Sequence, residues 1–473
     1  MISTRLSARR ALPFVLAIGI WLCPVPAGLT APAWHLFAVF LAAIVAVLVG
    51  ALPLLTSTML AVAAAVLTGT IQPAKAFGGF ANPSVLLVVI AFLVAQAVVK
   101  SGLGRRISLF IVGRFGRSSL GLAYSVILTD AVIAPAFPSA TARGGVLFPI
   151  VLSVAEGAGS RPQDPARRRL GGYLMFCTMA SLAVSSALWM TATSANPIGI
   201  QIVRDVGVQI GFGKWLLVAS VPALTAILAL PWLVARLFPP GTGETPEAPV
   251  AARKALAELG PLSREEWITA GAFVLMVAGW IFADALKLNV TSIAFAGLGV
   301  LLMTQVLTLD DIAAMGDTLT TFLWLAVLFA LSGQLNELGF MGYVGQLLAT
   351  YMGGLSWPLL YVGLVVIYVG IHYMFVSQSS QVLALLGVFL DVGIRGGVPA
   401  PLMAFALLFA SSYFSVITPQ GGSQNVIFVG SGYLTQRELY RLGLLTTTLV
   451  QIKFSGSLTW TALDRFHGPS TPS

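Results

Sequence analysis

Charge is scarce in this 473-residue chain: 9% of its residues are Asp, Glu, Lys or Arg, against roughly 25% in an ordinary soluble domain. So few charges cannot solvate a globular surface, which excludes a soluble fold. Cysteine is nearly missing too. Cys23 and Cys177 both fall inside apolar runs, which leaves no disulfide framework. His35, His372 and His467 are scattered, so no Cys/His cluster marks a metal site. No series of alternating segments of about ten residues is present, and that removes a transmembrane barrel. No His/Asp/Glu cluster recurs at helical spacing, so the nucleophile, base or metal set of a membrane-embedded enzyme is missing. The expectation is a protein that is not an enzyme. The net charge of +9 is assigned to cytoplasmic loops, where basic residues of membrane proteins gather, and nucleic acid is not expected as a partner.

What the chain has in quantity is apolar sequence: 57% of residues are hydrophobic and the mean hydropathy is +0.92. Runs long enough to cross a bilayer as helix lie near 11–30, 34–51, 53–70, 84–100, 171–192, 214–238, 268–285, 289–306, 319–338, 356–375, 401–417 and 442–463. The fold class is therefore an all-α polytopic membrane protein with the lipid bilayer as its surroundings. Arg5, Arg9 and Arg10 precede the first run, and "LTAPA" at 29–33 imitates a cleavage site. With so many further spans the first helix is expected to stay, its N-terminus cytoplasmic, in a bacterial-type inner membrane.

Two regions, 119–156 and 377–393, fit no simple span. Lys100, Arg105, Arg106, Arg114 and Arg117 precede the first, and Arg161, Arg167, Arg168 and Arg169 follow it. Both flanks are read as cytoplasmic, so the segment enters and leaves on one side. Residues 145–156 alone are too short to cross. A re-entrant hairpin with its tip at 138–144, "PSATARG", satisfies both constraints. Irregular backbone at that depth must be buried in protein or line a watery cavity. The acidic loop "LTLDDIAAMGD" at 307–317 falls on the inside in this topology, against the general sign of that side.

The chain reads as two matching halves. An extra N-terminal helix (1–33) precedes a first repeat over 34–238. That repeat divides into helices 34–117, a hairpin and broken helix 118–213, and an arm helix 214–238. A Pro-, Gly- and Glu-containing cytoplasmic linker follows at 239–266. The second repeat, 267–473, holds a hairpin at 377–393 and a broken helix at 401–432. Ser139-Ala140-Thr141 thus corresponds to Ser377-Gln378-Ser379, and the break at Thr193–Pro197 to that at Thr418–Asn425. A cytoplasmic linker starts the second half from the opposite side, which makes the repeat inverted. Interrupted apolar segments at matching places point to a transporter's midplane site. Unpaired N–H groups at helix starts favour anions, hydroxyl and amide side chains add donors, and freed carbonyls can hold a sodium ion.

"PSATARGGVLFPI", "MTATSANPIGI" and "HYMFVSQSSQV" resemble the signatures of the divalent anion/sodium symporter family of dicarboxylate and citrate carriers. They are most similar to the branch of bacterial citrate or tartrate:succinate antiporters and plastid 2-oxoglutarate/malate translocators. The resemblance extends over essentially the whole chain. It implies a homodimer with a scaffold domain and an elevator-like transport domain that carries both hairpins and both broken helices. It also implies secondary transport of a small anion of the succinate, malate, 2-oxoglutarate, citrate or tartrate class, without a cofactor unless Na+ is the coupling ion. Carried onto matching positions, Ser139, Ala140 and Thr141 form one substrate-binding tip and Ser377, Gln378 and Ser379 the other. Thr193, Asn196 and Thr418 lie at the breaks. A sodium ion would sit near Ser139, Asn196, Ser377 and Thr418. Two departures stand out. Ala140 replaces the asparagine of the first signature, with Gln378 at that place in the second, and Gln381 stands where the antiporters often carry histidine.

Arg143 is the most informative charge, since arginine inside a membrane segment costs at least about 2.5–3.5 kcal/mol unless paired or wetted. It either snorkels or pairs with a carboxylate such as Asp130, or, as expected here, serves as a substrate-binding fixed cation at the hairpin tip that holds a substrate carboxylate or replaces sodium. The second reading favours exchange over sodium symport. The alternatives are sodium-coupled symport of a dicarboxylate and transport of an inorganic or sulfonated anion. Asp130 is expected to pair with a basic residue or a backbone donor, with proton or cation coupling as the alternative. Lys453 is expected to be in a buried pair or a snorkelling lysine, and His372 is expected to orient the second hairpin.

Overall fold

The described parts of the apolar runs are mostly helical in the structure, a computed structural model that describes residues 2–162, 165–351, 354–375 and 377–448. In chain order the first helices are α1 (Ile2–Leu22), α2 (Ala31–Leu48), α3 (Leu54–Leu67), α4 (Pro73–Phe77), α5 (Pro83–Lys100), α6 (Leu103–Phe115), α7 (Ser119–Ile133) and α8 (Ala140–Gly157). There follow α9 (Gly171–Leu188), α10 (Ala195–Asp205), α11 (Phe212–Leu237), α12 (Glu247–Glu258), α13 (Arg264–Ile281), α14 (Ala283–Leu286), α15 (Val290–Met303) and α16 (Leu309–Ala313). The last are α17 (Gly316–Glu337), α18 (Phe340–Tyr351), α19 (Trp357–His372), α20 (Gln378–Arg395), α21 (Ala400–Tyr413), α22 (Asn425–Gly430) and α23 (Gln436–Thr446). Among the described residues the only β feature is an isolated bridge between Ser118 and Glu244. Among the described residues six helical segments are long and apolar enough to cross a membrane: 31–48, 73–100, 119–136, 171–188, 212–237 and 316–337. Lys453 and most of the expected span 442–463 lie outside the described residues.

Local structure recurs between the halves. Helices α3 and α15 both end on a threonine whose hydroxyl donates to the carbonyl four residues back, Thr68 to Ala64 and Thr304 to Val300, at 2.7 Å each. The next residue is left-handed in both, Gly69 at φ 70° and Gln305 at φ 63°. A short helix, α4 or α16, then precedes a long apolar one, α5 or α17. This early stop makes α3 and α15 fourteen residues long, shorter than the runs near 53–70 and 289–306 suggest.

The described residues form two compact units, each drawing on both halves of the sequence: those within 1–89, 197–209 and 314–408, and those within 90–196, 210–313 and 409–448. In the first unit α17 packs on α3, α4 and α2, while α20 packs on α18 and α19. Phe37 stacks on Phe340, with ring centroids 4.3 Å apart, and Lys75 of α4 pairs with Glu337 of α17.

The second unit is built around α9, which is buried along its whole length. Small residues allow this. A side chain on Gly171 would meet the Tyr433 ring at 2.1 Å. Helices α7, α8 and α11 all pack on α9, and α6 joins α7 to α12. Arg106 of α6 binds Glu266 at 2.6 Å and the Gly260 carbonyl at 2.8 Å. Lys100 meets Asp311 at 2.5 Å. The acidic loop that ran against the sign of its side is thus tied to the basic segment assigned to that same side.

Candidate functional site

The expected first tip is built differently from a loop. A 3-10 turn (Ala134–Ala136) ends the first arm, Phe137 and Ser139 are extended on either side of a bend at Pro138, and α8 begins at once. Ser139 is its cap, accepting from the Ala142 N–H at 3.2 Å. The polar stretch 140–145 is therefore the first turns of an 18-residue helix, and the second arm is longer than the expected 145–156. Gly144 and Gly145 make no turn. Gly144 instead lets α8 approach Leu182 and Phe428, each 3.4 Å from where its Cβ would stand. Helix α20 starts in the same way: Ser377 is extended and accepts from the Ser380 N–H at 3.4 Å. Each tip thus presents the positive end of an 18-residue helix under a serine.

The breaks repeat one another more closely. Between α9 and α10, the Asn196 amide donates to the carbonyls of Ser186 and Trp189, ten and seven residues back, at 2.8 and 3.2 Å. Between α21 and α22, Asn425 donates to Ser415 and Thr418, also ten and seven residues back, at 2.6 and 2.8 Å. Carbonyls released by a helix break need donors when buried, and one asparagine supplies two of them in each case. Asn196 was singled out from the sequence. Asn425 was noted only as the end of a break, and the shared spacing was the signal that could have found it.

The second unit gathers the first tip and both breaks. Thr141 and Ser423 hydroxyls lie 2.6 Å apart, the Ser194 N–H donates to the Pro138 carbonyl at 3.0 Å, and Thr191 donates to Pro135 at 2.9 Å. Ser139 and Thr141 are half-buried, whereas Ala140, Thr193, Asn196 and Thr418 are buried. Two buried oxygens in the second break, Thr418 Oγ1 and Asn425 Oδ1, have no hydrogen-bond partner. Ser377, Gln378 and Ser379 belong to the first unit, where Ser377 and Gln378 are half-buried and Ser379 is buried.

Of the two readings of Arg143, the structure has the pairing. The side chain is fully buried. Nη1 donates to Asp130 Oδ1 at 3.0 Å and also to Ser185, while Nη2 meets Ser186 at 2.6 Å and the carbonyls of Leu182 and Ala192 at 3.3 Å. Asp130 Oδ2 accepts from Ser181 and Ser185 at 3.0 and 2.6 Å. Only Nε lacks a partner. This network fastens both arms of the hairpin to α9 and to the start of its break. In the first unit Gln381 stands where Arg143 does, four residues after its serine cap. Both side chains reach back thirteen residues, Arg143 to Asp130 and Gln381 to the Tyr368 carbonyl at 3.0 Å. Gln381 also shares a hydrogen bond with the His372 ring. An ion pair in one hairpin is an amide–imidazole pair in the other, and His372 does hold the second hairpin.

The family described as sodium:sulfate symporter transmembrane region matches residues 4–463. Dicarboxylate transporter 2 of spinach chloroplasts is 35% identical over 453 residues, 94% of this chain and 80% of that one. Dicarboxylate transporter 1 of Arabidopsis thaliana chloroplasts is 36% identical over 430 residues, 90% and 77%. The citrate/succinate antiporter of Escherichia coli (strain K12) is 31% identical over 455 residues, 92% and 93%. Among solved structures, Neisseria gonorrhoeae MtrF superposes with a TM-score of 0.60 at 15% identity, over 95% of this chain and 97% of that one. The Alcanivorax borkumensis YdaH transporter does so with 0.56 at 18%, over 85% and 89%. Those two likenesses concern the fold alone. The match over nearly the whole chain, together with relatives of this identity, places the protein in the sodium:sulfate symporter family, the divalent anion/sodium symporters that its hairpin residues resemble.

Proposed function

We propose that this protein is a secondary carrier of small di- or tricarboxylate anions in an inner membrane, working by exchange. The observation that carries the reading is the pair of serine-capped tips, Ser139 on α8 and Ser377 on α20. A carboxylate meets uncommitted N–H groups and a hydroxyl at such a helix start. Thr141, Gln378 and Ser379 add polar groups beside the caps, while Ala140 adds none, so the first tip recognises its anion through backbone and hydroxyl donors. The twin asparagines at the breaks support an inverted repeat, and family membership supports a homodimer with elevator motion. The relatives named as dicarboxylate transporters and as a citrate/succinate antiporter support the substrate class and the exchange.

Arg143 takes a positioning role in this reading. Its charge is balanced by Asp130 and its terminal N–H groups face protein acceptors, so it shapes the first tip without touching substrate. A second reading, sodium symport, is favoured by Thr418 Oγ1 and Asn425 Oδ1, the two buried oxygens left unpartnered in the second break. Hard cations take oxygen ligands of this kind. Uptake into proteoliposomes preloaded with succinate, with and without sodium, across a panel of anions, tests both. Counter-substrate dependence without sodium supports exchange. Uptake that needs sodium and ignores the internal anion overturns it in favour of symport.

A further inference from the structure

The second unit contains a cavity of about 960 Å3 among α6, the C-terminal half of α8 and the linker helix α12. None of the tip or break residues described above lines it. Its volume lies at the upper end of the roughly 300–1,000 Å3 of small-molecule sites. The wall is apolar where it is shielded, with buried Val112 and Ala252 and half-buried Val146 and Ile150. Four exposed charged residues complete it: Arg105 and Arg169, Glu244 and Glu247. Among the described residues none of the four side chains has an ion-pair partner.

The neighbouring helix says what solvent this region meets. On α6, Phe110 and Phe115 are 64% and 50% exposed, beside the exposed Arg105 and Arg114. A basic helix that exposes aromatic side chains suits the plane of a membrane interface. A polar metabolite would leave the apolar wall unused. A simple fatty acid would use the wall and the arginines and leave both glutamates without a counter-charge. An amphiphile whose head carries a phosphate and a primary ammonium, which donates hydrogen bonds to the carboxylates as a quaternary ammonium cannot, satisfies all of it.

We propose that this cavity holds a glycerophospholipid of the phosphatidylethanolamine class, its phosphate at Arg105 and Arg169, its ammonium at Glu244 and Glu247, and an acyl chain along Val112, Val146 and Ile150. Arginine is suited to the phosphate because its planar donor face binds two oxygens at once. The lipid then bridges α6, the second arm of the first hairpin and the linker.

The test is native mass spectrometry of the full-length protein in detergent, supplied with equal amounts of phosphatidylethanolamine, phosphatidylglycerol and phosphatidylcholine. Phosphatidylethanolamine should be retained at least severalfold over the other two. The Arg105→Ala/Arg169→Ala variant should lose retention of all three. Glu244→Gln/Glu247→Gln should keep binding but lose the preference over phosphatidylglycerol, and Val146→Trp should exclude lipid by filling the wall. All these positions are exposed or half-buried, and a thermal melt of each variant confirms folding. Absence of retained lipid, phosphatidylglycerol or phosphatidylcholine held as well as phosphatidylethanolamine by the parent protein, or retention unchanged in the arginine variant overturns the proposal. The readout is bound mass, so it stands apart from whether carboxylates are carried.

Discussion

Asn196 and Asn425 do the same job in two places: each donates its side-chain amide to the carbonyls ten and seven residues behind it, across a broken helix. Holding two freed carbonyls with one side chain keeps each break in a single shape. Asn196→Ala and Asn425→Ala should each reduce stability by about 1–3 kcal/mol, the cost of leaving buried polar groups unsatisfied, and should reduce transport more than tenfold. Asn→Asp at either site should do the same, because the carboxylate cannot donate. Thermal melts and uptake rates normalised to protein check this, and wild-type uptake in a folded Asn425→Ala variant sinks it.

Arg143 and Asp130 are a buried pair, and breaking one partner of such a pair costs about 3–5 kcal/mol because the other is left uncompensated. Arg143→Ala and Asp130→Asn should therefore each destabilise strongly. Asp130→Asn/Arg143→Gln should lie nearer the parent than either Arg143→Ala or Asp130→Asn alone, since the second hairpin already uses a glutamine at this place. A double-mutant cycle of melting temperatures measures the coupling. Additive losses, or an Arg143→Ala protein as stable as the parent that fails only in transport, return Arg143 to the substrate.

Ser139→Ala and Ser377→Ala remove a helix cap, which costs about 0.5–2 kcal/mol, and also a donor for the substrate. The protein should fold, with the Michaelis constant for the carried anion raised tenfold or more. Equal constants for parent and variant would place the anion elsewhere.

Glu438 carries part of the pH dependence that can be read from the structure. Burial pushes its carboxyl up, but the hydrogen bonds from Arg167, the Thr435 backbone and Arg168 prevail and hold it at about 2. Its unfolded value is about 4.3, so the folded group is depressed. The stabilisation is then complete above the unfolded value and disappears as pH falls through about 2. The difference in melting temperature between the parent and Glu438→Gln should be constant from neutral pH down to about 5 and shrink below it. A difference that grows on acidification contradicts the assignment.

Gly171 lies against the Tyr433 ring, where an added Cβ would stand 2.1 Å from it. Gly171→Ala should cost about 1–3 kcal/mol, as overpacking does, and Gly171→Ala with Tyr433→Leu should recover part of it. A melt of the two variants decides.

Much of this was legible beforehand. The apolar runs, the basic flanks of 119–156 and the polar interruptions at 190–200 and 417–431 follow from composition and from the thickness of a bilayer, and these are properties of local sequence. The length of the hairpin's second arm was not legible. Ala140 to Gly145 look like a loop because glycine and threonine are weak helix formers, yet the Ser139 cap and the close packing of Gly144 on Leu182 and Phe428 make them helix. The early ends of α3 and α15 were hidden for a related reason: Thr68 and Thr304 stop those helices through their hydroxyls, which a hydropathy count ignores.

The partner of Arg143 marks where sequence reading stops. By itself the sequence determined that this is a helical membrane protein with two polar, serine-bearing tips and two broken helices, because bilayer thickness and backbone hydrogen bonding leave few other ways to bury such a chain. Whether the arginine at the first tip faces a ligand or a carboxylate was decided only by tertiary structure. A buried charge takes whichever counter-charge and acceptors folding brings within 3 Å, and α7 and α9 bring Asp130, Ser185 and Ser186.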